Sequence, residues 1–212
     1  MLSEHMKLDV DYFIALTARQ LTPHRFRHSL GVMHVMEELA PIYNLNKAHA
    51  MSAGILHDIA KEFTSADLIT LAVENNIALR NEHDRFPLFL HGPVGACYVA
   101  QKFGGIDPII LDAIARHSYF GEGAALSPSF CWCLRFADML EPSRSWEQLR
   151  NQLKPIVYSA KMGEAAYLLM RWIIPFHESS LLPVHPNMQS VFDKLSTLKS
   201  EERLCEVDHL PV

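Results

Sequence analysis

A histidine and an aspartate stand side by side at positions 57 and 58, inside an otherwise apolar stretch from Gly54 to Ala60. An imidazole and a carboxylate are unfavourable in apolar surroundings unless a partner satisfies them, and a metal ion satisfies both at once. Adjacent residues of a helix point about 100° apart, so this pair needs other helices to complete a coordination shell. The sequence therefore predicts a metal site whose remaining ligands lie elsewhere in the chain.

Twelve histidines, spread along the chain rather than clustered, are candidates for the further ligands. His24 and His28 lie four residues apart and would share one helix face, so spacing alone does not choose between them. His28 is favoured because it precedes the apolar stripe that has to dock on the His57 helix. His34 is interpreted as a surface histidine or a satisfied core histidine.

Three later residues complete the candidate set. His91 stands where a loop meets the start of a helix, His117 stands at the end of the helix that begins at Pro108, and Asp138 follows an almost wholly apolar segment. A buried carboxylate without a partner is costly, so Asp138 is expected to be paired. Each histidine alone is more often structural, but together with His28 and the His57-Asp58 pair they favour a metal site.

Lys61 follows Asp58 by three residues and His57 by four. At these spacings it can share their helix face and direct its ammonium group at whatever the metal binds. The competing interpretation is a solvated lysine at a helix end, which the residues alone leave open.

Composition and charge limit the class of protein. The 212 residues are 49% hydrophobic and 20% charged, which fits one globular domain, with or without an appended subdomain, and an ample core. The formal net charge is −5 and no basic block offsets it, so extended contact with nucleic acid is not expected. Any phosphate ligand should therefore be small.

Location and redox state follow from what the sequence lacks. No apolar run approaches the ~20 residues that span a bilayer, and the first residues do not have the build of a secretory signal, so a cytoplasmic location without membrane contact is expected. The four cysteines form no Cys-x-x-Cys pair and no zinc-finger spacing, and are interpreted as reduced, mostly buried thiols: Cys97, Cys131, Cys133 and Cys205.

The elements that have to position these residues are predicted to be helices throughout. A first helix ends near Thr22-Pro23, a second runs to Pro41, and a third runs from Asn46 to about Phe63, with small residues that permit close packing. Thr64 opens a short helix by a capping box, and residues 81–85 are expected to form a polar loop. Further helices are predicted over 89–104, from Asp107-Pro108 to His117, from Ser127-Pro128 to Glu141, and three times between Ser145 and Lys199, where Pro155 kinks or divides them.

The ordered set His28, His57-Asp58, His91, His117 and Asp138 resembles the HD domain family of metal-dependent phosphohydrolases. More narrowly, several segments are similar to its branch of symmetrical bis(5′-nucleosyl)-tetraphosphatases, and the resemblance covers roughly residues 20 to 195. These segments are Leu56-His57-Asp58-Ile59-Ala60-Lys61, Leu90-His91-Gly92-Pro93-Val94-Gly95, Ala113-Ile114-Ala115-Arg116-His117, Ala137-Asp138-Met139-Leu140-Glu141-Pro142-Ser143-Arg144 and Val184-His185-Pro186.

The resemblance implies an all-α helical bundle, with an HD-domain metal-binding core over residues 1–144 and a helical extension over 145–212 packed on it. It also implies two divalent or mixed-valent metal ions, commonly iron, with Asp58 bridging them. Imidazole and carboxylate ligands without thiolate suit iron, manganese, cobalt or zinc. The implied ligands are His28, His57, Asp58, His91, His117 and Asp138.

The implied reaction is symmetrical cleavage of diadenosine tetraphosphate to two ADP by a hydroxide that two metal ions activate. Asp58 and Lys61 are the implied catalytic residues, and Arg25, Lys61 and Arg144 the implied phosphate-binding residues. The substrate is a small nucleotide, and a homodimer is left open.

Two alternatives stand beside this interpretation. One is another HD-type phosphohydrolase, such as a nucleotidase or a phosphodiesterase of a signalling nucleotide. A mononuclear nucleotidase would not need His91 and His117 at the metal, which argues against that variant. The other is a non-catalytic regulator that holds metal or nucleotide on the same scaffold; the loss of a ligand would favour it, and none is lost.

The chain departs from the family pattern in two places. The family usually has threonine and then glycine soon after the position of His117, whereas here the run is Ser118-Tyr119-Phe120-Gly121. The serine keeps the hydroxyl, and the two aromatic residues are expected to reshape the nucleotide pocket. The run Cys131-Trp132-Cys133 before Asp138 is also unusual, and is interpreted either as core packing or as a source of oxidation sensitivity.

Overall fold

The computed structural model describes residues 9–121, 123–205 and 210–212, and within these ranges the chain forms helices and no strand. This confirms the all-α prediction. The helices are α1 (Val10–Gln20), α2 (Pro23–Ile42), α3 (Lys47–Leu56), α4 (Ser65–Glu74), α5 (Asn81–Arg85), a 3₁₀ helix (Pro87–Leu90), α6 (His91–Phe103), α7 (Pro108–Arg116), α8 (Pro128–Leu140), α9 (Glu147–Tyr158), α10 (Met162–Ser179) and α11 (Pro186–Ser200).

Several helices begin where a short polar side chain accepts a hydrogen bond from the first turn. Asn46 caps α3 in this way, and Asp107 and Ser127 cap α7 and α8 ahead of prolines at the first helical position. Thr64 and Asp67 form the predicted reciprocal capping box at α4. The predicted starts of these four helices are therefore confirmed.

Helix α8 lies at the centre of the molecule. Every residue from Phe130 to Leu140 is buried, and the helix packs against α2, α3, α7, α9 and α10. One hydrophobic cluster extends from Phe13 in α1 to Leu195 in α11. Asp138 stands near the end of this buried helix, so the fold holds its carboxylate inside the protein.

Gly54 sets the distance between α2 and α3. A Cβ atom added there would lie 2.6 Å from Met33 Cα and 2.9 Å from Met33 N, closer than a Cβ atom comes to the backbone of a neighbouring helix. The absence of a side chain at this position lets the two helices touch backbone to backbone. As a result, the C-terminal end of α3 lies against the helix that carries His28.

The structure corrects three details of the predicted elements. Helix α3 ends at Leu56 rather than near Phe63, and residues 57–62 form successive turns closed by bonds such as Lys61 N to Asp58 O at 2.9 Å. Residues 81–85 form the short helix α5 instead of a loop. Pro155 lies inside α9 and does not divide helices, because a single helix covers residues 147–158.

The C-terminal helices share the main hydrophobic cluster with the rest of the chain: Leu153 in α9 and Leu169 in α10 belong to the same cluster as Leu134 in α8. The division of the chain at residues 144 and 145 stays a prediction. Among the helices of the described residues, none is both long enough and apolar enough to cross a membrane.

Candidate metal centre

The six side chains predicted as metal ligands come together in the structure. They arrive from five places: the first half of α2, the turn after α3, the start of α6, the residue after α7, and the end of α8. Each of the six is at most 7% exposed: His28, His57, Asp58, His91, His117 and Asp138. His57 and Asp58 lie in the turn that follows α3, whereas the sequence predicted them inside a helix.

Each of the four imidazoles is held through its Nδ1 atom. His57, His91 and His117 donate from Nδ1 to the backbone carbonyls of Gly54, Leu88 and Ile114, at 2.8, 2.5 and 2.7 Å. A carbonyl oxygen only accepts hydrogen bonds, so the proton of each neutral ring sits on Nδ1 and Nε2 carries a lone pair. His28 Nδ1 donates to Glu141 Oε1 at 2.8 Å. Metal-binding histidines are held in this manner by the nitrogen that does not bind the ion.

The free Nε2 atoms converge on Asp58. Oδ1 of Asp58 lies 3.2 Å from His91 Nε2, 3.4 Å from His117 Nε2 and 3.7 Å from His57 Nε2. Oδ2 of the same carboxylate lies 4.0 Å from His28 Nε2. Two triads of ligand atoms follow, His28-His57-Asp58 and Asp58-His91-His117, with all atoms of a triad within 4.8 Å of one another.

Asp138 stands beside the first triad. Its Oδ1 atom lies 2.9 Å from His28 Nε2 and 3.8 Å from His57 Nε2. Nε2 of His57 thus faces the carboxylates of both Asp58 and Asp138. This arrangement gives each side of Asp58 nitrogen and oxygen ligands of the kind that iron, manganese, cobalt and zinc accept.

Two observations indicate that a cation belongs in this cluster. Among the described residues, the fully buried Nε2 atom of His57 has no hydrogen-bond partner. His91 Nε2 and His117 Nε2 lie 3.0 Å apart, although both carry lone pairs when their Nδ1 atoms donate. Lone pairs held at this distance repel unless a positive charge lies beside them, and the Lys61 ammonium, 2.9 Å from His91 Nε2, supplies one such charge. The unsatisfied buried nitrogen of His57 remains unfavourable without a cation. The residues therefore fit a divalent metal ion.

Burial lowers the pKa of His57 to about 4. It also lowers the pKa of His91, to about 3, and the nearby charge of Lys61 acts in the same direction. Burial would lower the pKa of His28 too, but its hydrogen bonds to Asp138 and Glu141 outweigh that effect and raise the pKa to about 9. His57 and His91 therefore present neutral rings at neutral pH, and a metal ion would take the place of a proton on His28.

The three basic residues predicted at the site all lie beside the cluster. Lys61 Nζ lies 2.9 Å from His91 Nε2 and 3.4 Å from Asp58 Oδ1, so the structure favours the site over the solvated lysine. Arg144 hydrogen-bonds Oδ1 of Asp138 through one terminal nitrogen and its carbonyl through Nε at 3.1 Å. Arg25 borders the same cleft but pairs with Glu62 at 3.1 Å.

Glu141, which the sequence pattern placed only at the end of α8, is a further residue of the site. It is 1% exposed, and Ser143 N donates to its Oε2 atom at 2.9 Å. Gly31 on α2 leaves space for it, since a Cβ there would lie 2.6 Å from Glu141 Oε2. A glutamate three residues after Asp138, at the end of an apolar helix and just before proline, was the signal available in the sequence.

We expect Glu141→Gln to lower metal affinity by about 10- to 100-fold, because the variant loses the charge that holds the His28 ring and raises its basicity. Competition against a chromophoric chelator measures the affinity. Glu37→Gln is the matched control, since Glu37 lies on the same helix as His28 but pairs with Lys47 at the surface. Equal affinity in wild type and Glu141→Gln would show that His28 needs no such partner.

Neither of the two aromatic residues after Ser118 borders the cleft, although Tyr119 packs against Phe89, which does, with 5.8 Å between centroids; their effect on the nucleotide pocket stays a prediction. Phe120 is 1% exposed and packs between Trp132 and the guanidinium of Arg135, with 3.9 Å from the Arg135 Cζ atom to the ring centroid. Tyr119 packs against His185 with 4.1 Å between ring centroids. Both rings serve the core, as do the buried residues Cys131, Trp132 and Cys133.

Arg135 is a second residue that the sequence argument did not single out. It is 4% exposed and donates to the backbone carbonyls of His117 and, at 3.2 Å, Ser118. These bonds hold the turn in which Phe120 adopts a φ of 68°. Arg135 thereby holds the backbone at His117 in place.

Known proteins share sequence and fold with this chain. A family model described as the HD domain matches residues 25–158. A symmetrical bis(5′-nucleosyl)-tetraphosphatase from Halalkalibacterium halodurans is 27% identical over 185 residues, which cover 86% of this chain and 94% of that protein. A protein of the same name from Bacillus subtilis is 33% identical over 133 residues, covering 63% of this chain and 69% of the relative.

The fold is shared with a solved relative. The crystal structure of a predicted HD superfamily hydrolase involved in NAD metabolism, from Clostridium acetobutylicum, superposes with a TM-score of 0.79 at 27% identity. The match covers 89% of this chain and 97% of that chain. The resemblance seen in the sequence is thus confirmed. The chain belongs to the HD domain family of hydrolases, and its relatives there include symmetrical bis(5′-nucleosyl)-tetraphosphatases.

Proposed function

We propose that this protein hydrolyses dinucleoside polyphosphates and cleaves diadenosine tetraphosphate symmetrically to two ADP, in a metal-dependent reaction. The observation that carries the proposal is the pair of ligand triads that share Asp58. A single carboxylate between two sets of imidazoles is suited to two ions, and two ions suit the hydrolysis of a phosphoric anhydride. The names of the relatives support the choice of substrate.

His28, His57 and Asp138 would hold one ion and His91 and His117 the other, with Asp58 shared between them. We propose iron as the resident metal, with manganese, cobalt or zinc as alternatives that the same ligands accept. Such a pair, when bound, acidifies water and withdraws charge from phosphoryl oxygens. The three rings that backbone carbonyls hold through Nδ1 need little rearrangement to present Nε2 to the ions.

Lys61 and Arg144 supply the positive charge that a tetraphosphate needs around it. The Lys61 side chain is 17% exposed and reaches the Asp58-His91 side, whereas that of Arg144 is 29% exposed and lies at Asp138. Each is near the cluster and open to the cleft. We propose that Lys61 neutralises charge on the phosphoryl group under attack, that Arg144 binds a neighbouring phosphate, and that Arg25 binds one further out.

The expected products decide between the classes of hydrolase. Wild-type protein supplied in turn with iron, manganese or cobalt should convert each diadenosine tetraphosphate to two ADP. Water attacks the phosphorus of a central phosphate in line with the departing oxygen, and ADP leaves. Ion-exchange chromatography separates the products. In water labelled with oxygen-18, one of the two ADP molecules from each turnover should carry the label.

Protein stripped with a chelator is the control for that measurement, and its activity should return when metal is restored. ATP and AMP as main products would contradict symmetrical cleavage while leaving the metal centre in place. Orthophosphate released from a mononucleotide would favour a nucleotidase. Rapid turnover of another signalling nucleotide, with diadenosine tetraphosphate untouched, would favour a phosphodiesterase.

The two cations are expected to differ in their kinetic effects. Lys61→Ala should mainly lower kcat, since it removes a charge that acts on the reacting group, whereas Arg144→Ala should mainly raise KM. Loss of either group should worsen the constant that it affects, kcat for Lys61 and KM for Arg144, on the order of 10- to 1,000-fold. Lys47→Ala, which removes an exposed lysine paired with Glu37, is the control and should leave both constants unchanged. Wild-type kinetics in both test variants would remove Lys61 and Arg144 from the site.

A further inference from the structure

The cleft over the metal cluster has two arms with different linings. The basic arm, about 420 Å³, is bordered by the cations Arg25, Lys61 and Arg144 and also by the carboxylates of Asp58 and Glu141, which contact His28. The aromatic arm, about 260 Å³, lies on the His91 and His117 side and is bordered by Phe86, Phe89, Trp146, Phe176 and His177. Lys61, Arg144 and Trp146 border both arms, so the two meet at the cations beside the cluster. A substrate lying across the cluster would place one half in each arm.

Two pairs of aromatic rings border the aromatic arm. Trp146 and Phe176 face each other with 4.4 Å between centroids and an angle of 56° between ring planes. Phe86 and Phe89, from the segment that leads to His91, form the second pair, with 5.0 Å between centroids. Phe176 is 39% exposed although it is a large apolar side chain. Exposed aromatic faces that border a cavity next to cations are suited to stack a base whose phosphates reach the metal.

One polar group completes this arm. His177 Nδ1 donates to the carbonyl of Pro183 at 2.8 Å, so the neutral ring keeps Nε2 as an acceptor. An acceptor beside stacking rings can receive a hydrogen bond from a base amino group or a ribose hydroxyl. The basic arm has no such pair of rings: among the described residues that border it, Trp146 is the only phenylalanine, tyrosine or tryptophan.

We infer that the protein recognises its substrate by one end. The nucleoside of one half lies in the aromatic arm against Phe176 and Trp146, and the phosphates of the other half lie in the basic arm, where the second nucleoside is not stacked. This inference rests on the proposed function, because it assigns the two halves of a dinucleoside tetraphosphate. It adds that the products are identical although the two halves of the substrate are bound differently.

The inference predicts which shortened substrates remain good ones. Adenosine 5′-tetraphosphate should be cleaved at its central linkage, where one water adds to give ADP and pyrophosphate, with a KM within a few-fold of that for diadenosine tetraphosphate. Inorganic tetraphosphate lacks the stacked base, so its KM should be at least about tenfold higher. If adenosine 5′-tetraphosphate is as poor as inorganic tetraphosphate, the second nucleoside is required and the inference is wrong.

Phe176→Ala tests the arm itself, because Phe176 borders only the aromatic arm. The variant should raise KM about tenfold for both adenosine substrates and leave that for inorganic tetraphosphate unchanged. An equal rise for all three would mean a general change of the site and would overturn the assignment. Tyr12→Ala, which removes another exposed ring, from α1, is the control and should change none of the three.

Binding separates this inference from the proposed reaction. Calorimetric titration of ADP and of pyrophosphate into wild type and Phe176→Ala needs no turnover. ADP should bind about tenfold more weakly to the variant, and pyrophosphate equally to both. If no tetraphosphate is hydrolysed but ADP binding depends on Phe176, the proposed function fails and the nucleoside subsite stands. If ADP binds equally to both proteins, the subsite is wrong whatever the enzyme hydrolyses.

Discussion

Asp58→Asn should lose both bound metal and turnover, with kcat/KM at least about 1,000-fold below wild type. The substitution keeps the size of the side chain and removes its charge. Asp58 is the member common to both ligand triads, so both lose their shared anionic oxygen. Elemental analysis of protein purified without added metal, beside steady-state kinetics, measures the two effects together.

The variant is expected to remain helical, because the core around α8 does not involve Asp58. Circular dichroism tests this point, and Asp193→Asn, which neutralises a carboxylate on α11 away from the cluster, is the matched control. Full metal content with normal turnover in Asp58→Asn would contradict the sharing of this carboxylate. Loss of one metal with the other retained would assign Asp58 to a single ion.

The residues that cluster at the site could be selected from the sequence because their types, histidine and aspartate, are themselves the metal-binding groups. A histidine and an aspartate within apolar segments are stable in few environments, and one of these is a site where both bind the same metal ion. The groups that hold the imidazoles are marked in the sequence only weakly or not at all. Three of these are backbone carbonyls, which every residue has, and the fourth is Glu141, a residue type usually found in water.

The helix starts were predictable for a related reason: a capping side chain and a proline act within one turn, so local sequence determines them. The end of α3 was not. The run from Gly54 to Ala60 is helix-compatible by pattern, but the chain leaves the α-helix at Leu56, and His57 and Asp58 lie on the turn that follows. Tertiary contacts decided this boundary, and no glycine or proline stands in the turns over residues 57–62 to mark it.

The orientation of Tyr119 and Phe120 shows the same limit. Their position two and three residues after His117 placed them near the nucleotide pocket, and only the fold shows that both rings turn inward. Phe120 adopts a φ of 68°, which points its ring at Trp132 and Arg135. A backbone reversal of this kind depends on what packs beneath it, and neighbouring residues in the sequence do not reveal that.

Gly54→Ala should destabilise the protein by about 1–3 kcal/mol, although alanine favours a helix over glycine by about 1 kcal/mol. The added Cβ would meet backbone atoms of Met33 at 2.6 and 2.9 Å, and a backbone cannot rotate away as a side chain can. Helices α2 and α3 therefore have to separate. Because α2 carries His28 and α3 leads to His57, the separation should also weaken metal binding. Urea unfolding of metal-free protein gives the free energy of unfolding.

Gly95→Ala on α6 is the matched control, because it makes the same change in another helix that faces the site. A Cβ there would meet Ile59 and Ala60 at 3.5 and 3.6 Å, which are ordinary contacts. This variant should be as stable as wild type or more stable, by up to about 1 kcal/mol. The sign of the change thus separates close backbone packing from helix propensity. Equal stabilisation by both substitutions would mean that α2 and α3 are not held together at Gly54, and that His28 and His57 are brought together by other contacts.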